Sequence, residues 1–267
     1  MGNESIELSF LSIFTLITFF IFLFVSKYSF KFKSGILLDE DFSKPQAFHH
    51  SAISRSGGIA GIISINIFLT IYYLIYSKFL LDYFLISNLM FLVGFLDDIK
   101  IKISPSKRLV LMILFLLILI HFIPIKILNI DVPVLSSFLK NDIFSSLFLL
   151  LCFLFVVNGA NLIDGFNGLL AINLIIINII LTYINVQNAN IELSFFIIGQ
   201  IVILLSFLLF NFPNAKIFLG DSGSYLFGSL TALNTIMTNN LNPNYSSFFF
   251  CILLFYIFFE VFFSFIR

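Results

Sequence analysis

An all-helical, polytopic bundle of about nine membrane spans, its N-terminus outside, is the fold that this 267-residue sequence predicts. Three observations carry the expectation. Hydrophobic residues make up 60% of the chain, charged residues only 10%, and the mean hydropathy is +1.10, more apolar surface than a soluble core of this length can hide. The apolar residues gather in runs close to the roughly 20 residues that a helix needs to cross hydrocarbon. Lys and Arg, finally, are distributed unevenly over the turns between those runs. All of residues 1–267 read as a single integral-membrane domain.

Taken in order, the expected spans lie at about 8–26, 57–77, 79–96, 106–123, 143–157, 169–184, 191–210, 222–237 and 248–266. Glu4 and Glu7 precede the first, and no Lys or Arg comes before Lys27, so the segment lacks the basic start of a cleaved signal peptide and Leu8–Val25 reads as a retained span. The second and third are separated by little more than Lys78. The fourth and fifth are short, within the allowance for tilt and thin bilayers. Cys152 and Cys251 each sit inside an apolar run and read as small apolar residues with no disulfide or metal role. His121, near the outer end of the fourth run, reads as structural.

Orientation follows from the basic residues. With the N-terminus outside, the cytoplasmic connections are about 26–56, 97–108, 158–168 and 211–223, and eleven of the 14 Lys and Arg fall inside, against Lys78, Lys126 and Lys140 outside. The same arrangement places every chemically loaded stretch on the cytoplasmic face of an inner (plasma) membrane. A transporter would more naturally carry its ionisable groups at mid-span. Zero formal net charge and a pI near 6.8 give no basic field for a nucleic acid partner.

Four stretches carry that polarity. Asn158-Gly-Ala-Asn-Leu-Ile-Asp-Gly-Phe-Asn-Gly-Leu169 packs three asparagines, an aspartate and three glycines between apolar runs, and Asn158, Asn161, Asp164 and Asn167 recur every third residue. On helical turns they would make a drifting polar stripe; the plainer reading is a connection of Asn-Gly and Asp-Gly turns. Gly94-Phe-Leu-Asp-Asp-Ile-Lys100 ends a span with adjacent carboxylates, unfavourable at the negative end of the helix dipole. Either Lys100, Lys102, Lys107 and Arg108 neutralise the pair as an interfacial charge cluster, or the carboxylates bind a hard cation or take a proton. Phe218-Leu-Gly-Asp-Ser-Gly-Ser224 opens a span with Asp221 as a helix cap or a magnesium ligand beside backbone amides. Lys44-Pro-Gln-Ala-Phe-His-His-Ser-Ala-Ile-Ser-Arg-Ser-Gly-Gly58 brings His49, His50 and Arg55 to the start of the second span, either as a solvated basic loop or as a phosphate or nucleotide site.

In order and placement these stretches, over about residues 40–265, resemble the polyprenyl-phosphate N-acetylhexosamine 1-phosphate transferases of glycosyltransferase family 4. The histidine-rich loop is closer to the surface-polysaccharide and O-antigen branch than to the peptidoglycan branch. The resemblance implies magnesium-dependent (or manganese-dependent) transfer of a sugar 1-phosphate from a UDP-sugar to polyprenyl phosphate, with release of UMP, for surface-polysaccharide or cell-wall synthesis. It implies catalytic roles for Asp97, Asp98 and Asp164, substrate contacts for His49, His50, Arg55 and Asn158, and a metal site at Asn161 and Asp221. Ser54 stands where the family usually has proline, Asn167 where a second aspartate is frequent, and Glu260 where aspartate is frequent. Family members continue beyond the ninth span into a histidine-bearing loop that helps bind the donor, so the resemblance implies a C-terminally shortened chain. Two rival expectations follow, a non-catalytic homologue that binds lipid phosphate or a partner, and a transporter. The bilayer is the constant partner, and a bare apolar face serves lipid and a second copy alike, which leaves a homodimer open.

Overall fold

The computed structural model describes residues 2–28, 37–39, 52–101, 103–123, 125–128 and 130–266, omitting the side chains of 2–6 and Phe265, so the expectations on His49 and His50 lie outside the described residues. Helices account for nearly all of the regular structure. They are α1 (Gly2–Tyr28), α2 (Gly57–Tyr76), α3 (Leu81–Asp98), α4 (Pro105–Phe122), the short α5 (Pro133–Phe138), α6 (Asp142–Ile163), α7 (Leu169–Gln187), α8 (Ile191–Asn211), α9 (Gly220–Leu241), α10 (Ser247–Leu253) and α11 (Phe255–Ile266). Each of the nine expected spans coincides with a helix or, for the last, with the α10–α11 pair. This is a multi-pass membrane protein, because hydrocarbon leaves backbone amides no partner outside the helix itself. Among the described residues six helices are long and apolar enough to cross, and a seventh span arises if α10 and α11, bent by 65° at their junction, count as one.

The two long helices outside that set are informative. α3 carries three carboxylates, Asp82, Asp97 and Asp98, and α9 is rich in Ser, Thr and Asn. Yet α9 is the central post of the bundle, with 18 of its 22 residues buried. It packs most extensively on α3, then on α6, α2 and α7. Small residues make that closeness possible, as expected where packing rather than hydrophobicity joins helices in lipid. A Cβ at Gly228 would stand 2.8 Å from the Ala160 Cβ on α6, and one at Gly94 would run into the backbone of Asp221.

The polar groups of α9 are paired inside the bundle. Asn234 donates to Asn178 Oδ1 (3.2 Å) and Gln200 Oε1 (3.0 Å) and accepts from the Tyr83 hydroxyl (3.1 Å). Two turns on, Asn185 donates to the Thr238 hydroxyl at 2.8 Å and accepts from Asn242 at 3.1 Å. Four helices are thereby tied to one register, since an unpaired amide in this interior would cost about 1–3 kcal/mol.

Three departures from the sequence expectation have local causes. α6 runs to Ile163, so the expected connection at 158–168 shrinks to residues 164–168 and Asn158 and Asn161 are helical. Glycine there is no breaker, because Gly159 lets α11 approach until a Cβ would strike Ile257. The last apolar run breaks at Leu254 rather than crossing straight. A two-stranded antiparallel ribbon, β1 (Leu38–Asp39) and β2 (Ile53–Ser54), pairs Leu38 with Ser54 and Asp39 with Ile53. Its second strand continues to the loop before α9, where the Phe218 amide donates to the Ser54 carbonyl at 2.8 Å and the Gly57 amide to the Phe218 carbonyl at 2.9 Å.

Candidate active site

The ribbon, the C-terminus of α3, the first turn of α4 and the N-terminus of α9 meet at one end of the bundle. Each delivers charge. α3 ends in Asp97 and Asp98, where the dipole disfavours anions, and α9 begins beside them with unpaired amides that attract one. The conflict resolves across the junction. Asp98 turns both oxygens onto α9, accepting from the Asp221 amide at 3.0 Å and the Ser222 amide at 2.9 Å. Gly220 is required at that contact: its φ is +76° and a Cβ would stand 2.7 Å from Asp98 Oδ2. Asp98 is buried, with the Arg55 Nη1 at 3.8 Å as its nearest cation among the described ion pairs.

Asp97 and Asp221 instead stay half-buried and face each other through Arg108. The Arg108 Nη1 lies 3.0 Å from Asp97 Oδ2 and 2.5 Å from Asp221 Oδ2. Of the basic residues expected to neutralise the acidic pair, Lys102 lies outside the described residues, and among the other three Arg108 is the one this geometry puts between the carboxylates. Pro105 opens α4 and sets Arg108 in its first turn. The second guanidinium, Arg55, follows β2 and donates from Nε and Nη2 to Asp39 Oδ2 at 3.2 and 2.7 Å. Asp39 has no special spacing in the sequence. It opens a run of three acids, Asp39-Glu40-Asp41, within an otherwise basic loop.

The last turns of α6 and the α6–α7 connection complete the group. The Asn161 amide donates to the Ser224 hydroxyl at 3.0 Å, and that hydroxyl donates to the Asp221 carbonyl at 3.2 Å, so Asn161 buttresses the turn that carries Asp221. Asp164 caps the end of α6, half-buried, and feels the charges of Asp221, Asp98 and Arg55. Asn158 folds its amide back on the Leu154 carbonyl at 2.7 Å, within its own helix. Asn167 reaches across to the Pro213 carbonyl at 2.9 Å. Cys152 and Cys251 are free.

Burial and mutual repulsion raise the proton affinity of the acids here. Loss of hydration, then the charge of Asp221, pushes Asp98 up to about 7, against the opposing pull of the Ser222 hydrogen bonds and Arg55. Asp97 is raised by burial and by Asp221, with Arg108 and Arg55 opposing. Asp164 is raised well above the usual carboxylate range, first by burial and then by Asp221 and Asp98.

Among the described residues no group of three or more His, Cys, Asp and Glu side chains stands close enough to hold a metal by itself. The donor set nonetheless suits magnesium, which is usually held by one or two carboxylates and completed by substrate phosphate oxygens. One cationic nitrogen already reaches both Asp97 and Asp221, so one ion could be shared between them.

Residues 80–239 match the model of the family described as glycosyl transferase family 4. The chain is 30% identical over 233 residues to the phospho-N-acetylmuramoyl-pentapeptide-transferase of Dictyoglomus turgidum, covering 84% of this chain and 73% of that one. It is 29% identical over 158 residues to the protein of the same name from Clostridium beijerinckii, with coverage of 54% and 48%. It is 29% identical over 227 residues to the undecaprenyl-phosphate alpha-N-acetylglucosaminyl 1-phosphate transferase of Thermotoga maritima, with coverage of 82% and 62%. The matched stretch thus spans about half of the Clostridium relative and about three quarters of the Dictyoglomus one.

Proposed function

The chain belongs to glycosyl transferase family 4, and from that premise we propose that it transfers a sugar 1-phosphate, an N-acetylhexosamine 1-phosphate, from a UDP-sugar to polyprenyl phosphate. An oxygen of the lipid phosphate attacks the sugar-bearing phosphorus of the donor, the pyrophosphate bond breaks, and UMP leaves. The product is a polyprenyl-pyrophosphoryl sugar for cell-wall or surface-polysaccharide synthesis. The activities for which these relatives are named support the reaction type. The excess of Lys and Arg on the same side supports a reaction at the cytoplasmic face of the plasma membrane.

One observation carries the reading: Asp97, Asp221 and Arg108 converge, half-buried, where three helices meet at one end of the bundle. Both reactants are phosphate anions, so the barrier is dominated by bringing like charges together. Positioned cations lower it. Arg108 and Arg55 would contact phosphate oxygens from two sides, while Asp39 fixes the fork of Arg55. Asp98 acts by holding the N-terminus of α9 in place rather than by touching substrate. Asp97 and Asp221 would hold magnesium, and that ion would supply the positive charge that lets two anionic groups approach. Asp164, whose proton affinity is raised by burial and by the neighbouring carboxylates, would add less negative charge to the site than an ordinary carboxylate.

The test is a transfer assay with the purified chain, radiolabelled UDP-N-acetylhexosamine, polyprenyl phosphate and magnesium. Lipid-linked label and UMP should appear together, and Asp221→Ala should abolish both. Retention of polyprenyl phosphate without either product would instead favour the non-catalytic homologue, and flux of label into sealed vesicles without UMP would favour a transporter.

A further inference from the structure

The end of the bundle opposite the acidic cluster holds an open cavity. α3 begins there and ends at Asp97 and Asp98, so its 18 residues separate the two regions by roughly 27 Å. The α2–α3 turn, the first turn of α3, the end of α4, the α7–α8 turn and the end of α9 line a cavity of about 700 Å³ that is open on one side. That volume lies within the range of small-molecule sites. Most of its wall is apolar, with Phe79, Phe122 and Phe196 among its lining side chains, but it also carries charge.

Two of the charged groups satisfy each other. The Lys78 Nζ stands 2.6 and 2.7 Å from the two oxygens of Glu192, and the Tyr72 hydroxyl donates to Glu192 at 3.0 Å. Asp82 is different. It is half-buried at the start of α3, one oxygen accepts the Tyr83 amide at 2.9 Å, and among the described residues no Lys or Arg stands within ion-pairing distance of it. The cavity therefore carries one carboxylate in excess, in a mostly apolar wall that includes Phe79, Phe122 and Phe196.

We propose that this cavity binds an organic ammonium group carried on an apolar body, with Asp82 as its counter-ion and the phenyl rings around its alkyl substituents. Cations are attracted to ring faces as well as to carboxylates, and both are strengthened where water is partly excluded. An anionic head group meets the opposite situation, because Asp82 repels it and Lys78 is already engaged by Glu192. The site is independent of the transfer reaction and lies at the other face of the bundle.

An amine-headed phospholipid and a free cationic amphiphile share this chemistry, and the experiment separates them. Purified full chain in a nonionic maltoside is titrated with dodecyltrimethylammonium and, in parallel, with dodecyl phosphate. Saturable binding of the ammonium compound is expected, weakened about tenfold by Asp82→Asn, as losing one partly buried ion pair should do. Asp97→Asn should leave it unchanged. Should Asp82→Asn fail to fold, the preference of the unaltered protein for the ammonium over the phosphate compound decides the matter. Equal binding of the two compounds, no saturable binding, or full binding by Asp82→Asn overturns the proposal. Selective retention of phosphatidylethanolamine over phosphatidylglycerol in nanodiscs would support a lipid head group as the source. Ammonium binding without that selectivity would support a soluble amphiphile.

Discussion

The two adjacent aspartates at the end of α3 look equivalent in the sequence and are not equivalent in the fold. Asp98 is a cap, with both oxygens on α9 amides, whereas Asp97 shares a cation with Asp221. Their substitutions should separate accordingly. Asp97→Asn and Asp221→Asn should leave thermal unfolding nearly unchanged and lower transfer by about 100-fold or more, the usual scale for losing one electrostatic group at a reacting phosphate. Asp98→Ala should instead lower stability by about 1–3 kcal/mol, since two buried amides lose their acceptor, with activity lost as a consequence. Asp98 also makes a pH signature. In the folded chain it keeps its proton up to about pH 7, in the unfolded chain only up to its usual value of 3.8. Between those values the folded state holds the extra proton, so this group's contribution is fully present below pH 3.8 and is lost as pH rises towards 7. Thermal unfolding of chelator-treated protein should show that decline, and Asp98→Asn should flatten it. The acidic pair was legible in the sequence as a charged end to a span. Its division of labour was not, because the deciding amides lie 123 and 124 residues away.

At the scale of the element, helix boundaries were legible wherever apolar runs met polar turns and illegible where packing overrides local propensity. Asn158-Gly-Ala-Asn161 spells a turn, yet α6 continues through it because Gly159 and Ala160 are buried against α11 and α9. Conversely, the apolar run at 248–266 contains no breaker and still bends by 65°. Gly94 shows how narrowly such contacts are set. A methyl group there would collide with the Asp221 backbone and push α3 from α9. Gly94→Ala is expected to cost about 1–3 kcal/mol, and to reduce transfer as well, because the junction it opens carries both Asp98 and Asp221. Thermal unfolding in detergent together with the transfer assay would check this, and an unchanged midpoint would show that the junction tolerates separation.

For the whole molecule the organising feature is a polar helix at the centre of an apolar bundle. Asn234→Leu would leave Asn178, Gln200 and Tyr83 short of partners, and a loss of about 0.6–2 kcal/mol is expected in unfolding measurements. The sequence by itself determined that the chain is helical and crosses a membrane, since a backbone in hydrocarbon must bond within its own helix whatever its neighbours are. It also determined that the charged motifs collect at one end of the spans, because alternating turns leave no other place for them. Tertiary structure alone decided that α9 is the buried post, that Asp98 caps it, that Arg108 bridges Asp97 and Asp221, and that Asp39 fixes Arg55. Those outcomes depend on distances of a few ångströms between elements far apart along the chain. Residue order specifies such distances only through the packing of every helix at once.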